Sequence, residues 1–131
     1  MTLFSKIIAG EIPGYKLAED ERFFAFLDAF PLVPGHSLVV PKVEVDKFLD
    51  MDDDYLSHIL LFAKPLAYAI ERAYPCNRVG LSVVGLEVPH AHLHLIPLNT
   101  MEDIDFTRPK MHPTPEELEA SRKRILAELG K

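Results

Sequence analysis

The chain has 131 residues, a single cysteine and a formal net charge of −6. That length suits one domain, residues 1–131, and buries about 70% of the unfolded surface without a disulfide or metal staple. Cys76 alone excludes an intramolecular disulfide and a cysteine-rich metal site, and the acidic balance excludes non-specific binding to a nucleic-acid backbone. No apolar run reaches the ~18 residues of a membrane span, and no apolar leader opens the chain. The expectation is a soluble cytoplasmic protein with neither membrane nor nucleic-acid partners.

In chain order, residues 3–9 carry Leu3 or Phe4 and Ile7 or Ile8 at helical spacing, with Thr2 as N-cap and Gly10 as stop. Pro13-Gly14 is a turn. Residues 15–18 form a first strand and residues 22–28 an aromatic second one. The inward set of the second strand is either Phe24/Phe26/Asp28 or Phe23/Ala25/Leu27. A stiff loop, Pro31 to Gly35, leads to a third strand from His36 to Pro41. A long helix then runs from an acidic cap at Asp52, Asp53 or Asp54 to about Tyr74. Leu56, Ile59, Leu60, Ala63, Ala67 and Ile70 mark its buried stripe, and Pro65 interrupts its hydrogen bonding. Residues 78–84 are a fourth strand, turned by Gly85-Leu86-Glu87 into the next. Thr114, Pro115 and Glu117 open a last helix that ends at Gly130 and packs on the body or on a second subunit. The fold class is α+β: a five-stranded antiparallel sheet with a short N-terminal helix, one long helix and a C-terminal helix. Its open edges make a homodimer reasonable.

The fifth strand holds the chemistry. In Val88-Pro89-His90-Ala91-His92-Leu93-His94-Leu95-Ile96-Pro97, three of the chain's six histidines alternate with small or apolar residues. Strand side chains alternate faces, so His90, His92 and His94 form a row while Ala91, Leu93 and Leu95 enter the core. Same-face positions lie about 6.5–7 Å apart, close enough for neighbouring imidazoles to share one reactant. Such a cluster titrates as a coupled set and offers a neutral imidazole nucleophile beside a proton donor. A metal site is the rival reading, since His-x-His on a strand suits zinc. A solvated polar face is the bland one.

The row followed by Ile96-Pro97 resembles the signature of the histidine-triad (HIT) superfamily. Residues 4–13, the run Ala25 to Asp28 with Pro31, and the run Pro34 to Lys42 are similar to that superfamily as well, so the resemblance covers residues 3–98. It implies hydrolysis or transfer at the α-phosphate of a nucleotidyl compound, such as a nucleoside phosphoramidate or dinucleoside polyphosphate. His92 would attack phosphorus and become transiently nucleotidylated. His90 and His94 would orient it and contact phosphate, and His36 would approach from the neighbouring strand. Leu3, Phe4, Ile7, Phe26 and Leu38 would sandwich a purine base, and Asp28 would accept the ribose hydroxyls. No cofactor is implied.

Two departures stand out. Some bacterial relatives hold a structural zinc with two cysteines, a histidine and the first triad histidine; here Thr2, Ser5 and Glu44 occupy three of those positions, so no metal is expected. The family's Gly-Gln-Ser/Thr before the triad is replaced by Gly85-Leu86-Glu87. Glu87, at a nucleotide-binding position, would repel phosphate, bind a basic leaving group or face solvent. Ser82 is a possible polar contact. His58 and His112 read as surface residues.

Overall fold

Thr2 leaves extended backbone and its hydroxyl accepts the Ser5 N–H, which starts α1 (Leu3–Ile8). Gly10 then stops the helix at φ +80°. The computed structural model describes residues 1–131. Three strands follow: β1 (Lys16–Glu19), β2 (Phe23–Leu27) and β3 (Ser37–Pro41). The long helix α2 (Asp53–Ala73) separates them from β4 (Arg78–Ser82) and β5 (Leu93–Leu98), and α3 (Pro115–Leu126) closes the order. The sheet order is β1-β2-β3-β5-β4 and every pairing is antiparallel. No helix is long and apolar enough to cross a membrane.

Both faces of β2 are covered, so the apolar residues of both candidate inward sets are buried, and Asp28, just past the strand, is half-buried. Phe23, Ala25 and Leu27 join Val39, Leu93, Leu95 and the α2 residues Ile59, Leu66 and Ile70 in the larger core. Phe24 and Phe26 face the other way, with Leu38, Val40 and Phe4 of α1. That second cluster carries the wall of the site described below.

The stripe on α2 needs one correction. Ile59, Ala63 and Ile70 are buried as expected, but Leu60 is 57% exposed and Leu66, Ala69 and Ala73 complete the core. The seam steps through residues 59, 63, 66, 70 and 73, and Leu60 lies about 100° round the helix from Ile59. Pro65 does not end α2. The carbonyl it frees belongs to Leu61, on the exposed side, where water can satisfy it.

The histidine strand starts later than its alternation indicates. β5 begins at Leu93, so residues 83–92 form a long connection instead of a short hairpin turn. Its pairing with β3 stops at Val39↔Leu93, and the Ala91 N–H donates instead to the Val45 carbonyl at 2.6 Å. Alternation survives in the side chains, since Ala91, Leu93 and Leu95 all enter the larger core.

The Thr114 hydroxyl accepts the Glu117 N–H and the Glu117 carboxylate accepts the Thr114 N–H, a complete capping box for α3. The helix ends at Leu126, four residues before the expected stop at Gly130, and the chain finishes in tight turns. It packs on the body: Leu118 and Ile125 enter the larger core, and the Tyr74 hydroxyl donates to Ser121 Oγ at 2.7 Å.

Gly35 sits at φ +93°, where a Cβ would lie 2.8 Å from the Tyr74 ring and 3.2 Å from Pro97. Gly35→Ala should therefore cost about 1–3 kcal/mol, read as a lower urea midpoint. Gly10→Ala, also at positive φ but with nothing within 4 Å, should cost less.

Candidate active site

A cavity of about 580 Å³ opens against the second apolar cluster, within the range that holds small ligands. Its walls come from α1, the end of β2, residues 84–88 and the segment between β5 and α3. Leu3, Phe4, Ile7, Phe26, Asp28, Leu38 and Glu87 all line it, as do His36, His92 and His94. His90 does not. Ser82 lies away from it on β4, and His58 is half-buried on α2, also outside the cavity.

Each histidine of the group is held by a partner that fixes its tautomer. The Leu32 N–H donates to His36 Nδ1 at 3.1 Å, so the His36 proton sits on Nε2 and donates to His94 Nδ1 at 2.9 Å. The His94 proton is thereby assigned to Nε2. His92 Nδ1–H donates to the His90 carbonyl at 2.7 Å, which leaves its Nε2 lone pair free. His90 Nε2–H donates to the Pro41 carbonyl at 2.8 Å, and its Nδ1 accepts the Thr2 hydroxyl at 2.7 Å. The expectation that the His90 ring reaches a phosphate is therefore not met. Both its nitrogens are committed to the scaffold, and its carbonyl is the part that touches His92.

The rings are packed as closely as a core: His92–His94 centroids lie 4.9 Å apart, His36–His94 5.1 Å and Phe4–His92 5.1 Å. Burial, with like charge nearby, drives His36 down to about 3 and His94 down to about 4. Burial also lowers His90 from its ordinary value. Asp28 is raised by burial, although its carboxylate accepts the Phe30 N–H. At neutral pH these three histidines are uncharged.

A HIT domain model matches residues 9–101. The chain belongs to the HIT family. An uncharacterised HIT-like protein of Borreliella burgdorferi is 36% identical over 113 residues, covering 81% of each chain. Adenosine 5'-monophosphoramidase HNT1 of Saccharomyces cerevisiae is 40% identical over 96 residues, 72% of this chain and 61% of the yeast protein. Among solved structures, a HIT-like protein of Bartonella henselae superposes with a TM-score of 0.85 at 29% identity, covering 98% of this chain and 96% of that one.

Two places in this HIT chain bear on metals. Thr2, Ser5, Glu44 and His90 are joined by hydrogen bonds: the Thr2 N–H donates to Glu44 Oε1 at 2.8 Å and the Thr2 hydroxyl to His90. The Ser5 hydroxyl and the Thr2 amide hold the Glu44 carboxyl below its usual range. Hydroxyls and a carboxylate thus tie His90 in place. Asp28, His36 and His94 each bring a ligand atom within 4.8 Å of the others. There, however, His36 Nδ1 and His94 Nδ1 already accept hydrogen bonds, and His36 Nε2 is protonated. A cation would have to break the pair.

The segment after β5 is the part that reading the sequence missed. Phe106, Thr107, Lys110 and His112 line the cavity. Phe106 packs edge-on against His94 at 4.8 Å, and His112, exposed as expected, packs against the exposed Phe30 ring at 5.3 Å on the rim of the cavity. Lys110 Nζ pairs with Glu87 Oε2 at 3.1 Å. The available signal was length: a connection of more than a dozen residues with little regular structure is usually a functional one.

Because His36 and His94 titrate far below 6.5, the unfolded chain binds more protons than the folded one between about pH 4 and 6.5. Their stabilisation is complete above pH 6.5 and is lost on acidification, by at most roughly 1.4 kcal/mol per pH unit per histidine. Asp28 acts oppositely, its contribution being lost as pH rises through its folded value. Urea midpoints taken between about pH 5 and 6.5 should fall with acid, and the slope should shrink in His36→Gln; a flat profile in the native chain would contradict the burial described.

Proposed function

We propose that the protein is a nucleotide-binding hydrolase or transferase acting at the α-phosphate of nucleotidyl compounds, with His92 as nucleophile. The observation that carries this reading is the His92 Nδ1–H bond to the His90 carbonyl, which leaves Nε2 as an unprotonated nitrogen on a ring that lines the cavity. Nε2 attacks phosphorus, the P–N or P–O bond to the leaving group breaks, and a nucleotidyl-histidine remains. The carbonyl stabilises the positive charge that the imidazole gains. His94 offers its Nε2–H to the phosphoryl oxygens or the leaving atom, and His36 keeps His94 in that tautomer. Water then attacks phosphorus and releases the nucleoside monophosphate.

The apolar wall of Leu3, Phe4, Ile7, Phe26 and Leu38 suits a purine base, and Asp28 suits the ribose hydroxyls. The adenosine 5'-monophosphoramidase among the relatives supports an adenosine phosphoramidate as the first substrate to try. The working form in this reading is a homodimer paired along β4, an open sheet edge with Leu81 52% exposed beside exposed Leu60 and Tyr68 of α2.

A second reading is a nucleotide-binding regulator with weak turnover. It rests on Leu86, 88% exposed, and on Glu87 at the mouth of the cavity. Tight binding by calorimetry without a trapped nucleotidyl-histidine would favour it.

For the leading reading, His92→Asn should cut turnover of adenosine phosphoramidate by at least about a thousandfold while AMP still binds. Mass spectrometry of the quenched native enzyme should find the nucleotidyl mass on His92. Unchanged hydrolysis by the folded variant would rule the reading out.

A further inference from the structure

A nucleotide phosphate entering this cavity meets a charge problem. The cavity is lined by two carboxylates, Asp28 and Glu87, and by histidines of which burial keeps His36 and His94 uncharged. Lys110 is the one lysine or arginine in its wall. Its charge is near enough to bear on Asp28, His36 and His94 alike. It is also held in place. The segment that carries it is fixed on one side by Phe106 against His94 and by Arg108 Nη2 donating to the Leu32 carbonyl at 3.3 Å. On the other side the Met111 N–H donates to the Pro31 carbonyl at 2.9 Å and His112 packs on Phe30. Lys110 projects between these anchors and ends on Glu87, at 3.1 and 3.3 Å from its two oxygens. Glu87 is 77% exposed, so this pair is a weak one that a better anion displaces.

We propose that Lys110 is a substrate-binding residue that leaves Glu87 to hold the phosphate of the bound nucleotide, with Glu87 acting as the internal anion that the phosphate replaces. The inference rests on the nucleotide reading above and goes beyond it in assigning a residue outside the matched HIT region. A phosphate is the stronger partner because it presents more charge and more acceptor oxygens than a solvated carboxylate. Asp28 is not the displaced anion, since its carboxylate is turned to the Phe30 amide and to His36.

The test is calorimetric binding of AMP and of adenosine to the full chain. The native protein should prefer AMP. Lys110→Met should weaken AMP about tenfold or more and leave adenosine unchanged within about twofold; Lys110→Arg should keep the preference. Glu87→Gln should bind AMP severalfold more tightly, and that gain should vanish in the Lys110→Met background. Equal losses for AMP and adenosine in Lys110→Met would reduce Lys110 to a structural role, and an intact AMP preference would overturn the proposal while leaving the nucleotide reading standing. No gain in Glu87→Gln would overturn the exchange. A native protein that binds neither compound would remove the nucleotide reading and this inference together.

Discussion

The hydrogen bond from His92 Nδ1 to the carbonyl of His90 is the contact on which the site depends. An imidazole can present its lone pair at either nitrogen, and only a partner on the other decides which. Here the partner is backbone, and the backbone is itself immobilised. His90 is tied through Nε2 to Pro41 at the end of β3 and through Nδ1 to Thr2 at the start of α1. Ala91, on the opposite side, is in the core and gives its N–H to Val45. The geometry of one nitrogen is thus set by a strand end, a helix cap and the packing beneath them.

The same economy governs His36 and His94. Their pairing is a relay of one backbone N–H and one ring N–H, closed off from water. Burial makes the neutral forms persist, which suits donor and acceptor roles that a protonated ring could not divide. It also strips the site of positive charge, and the only compensation in the wall comes from another part of the chain.

Much of this was legible in the residues. Period-two alternation from His90 to Leu95 assigned the two faces, and the Thr114-Pro115-Glu117 pattern placed the start of α3, because both depend on local geometry alone. The apolar wall and Asp28 were found through resemblance, and the structure brings them to one cavity. What failed was non-local. The first residue of β5 is set by where its pairing with β3 stops, at Val39, beyond which the Ala91 N–H turns to Val45, and alternation cannot know that. Leu60 and Leu66 look alike as helical apolar residues, and only the direction of the packed sheet chooses between them. Lys110 lies in a polar stretch with no periodicity; its place follows from the bonds that its neighbours Met111 and Arg108 make to Pro31 and Leu32 some eighty residues earlier in the chain.

The position of α3 carries one more consequence. That helix is seated in the larger core against α2 and β1, on the far side of the sheet from the cavity. The strap from Leu98 to Thr114 is therefore moored at both ends, by β5 and by α3. Between those ends it is pinned a second time, by Arg108 and Met111 on the Leu32 and Pro31 carbonyls and by Phe106 on His94. One wall of the cavity thus belongs to a stretch of chain whose two ends are rooted in the packing of the opposite face.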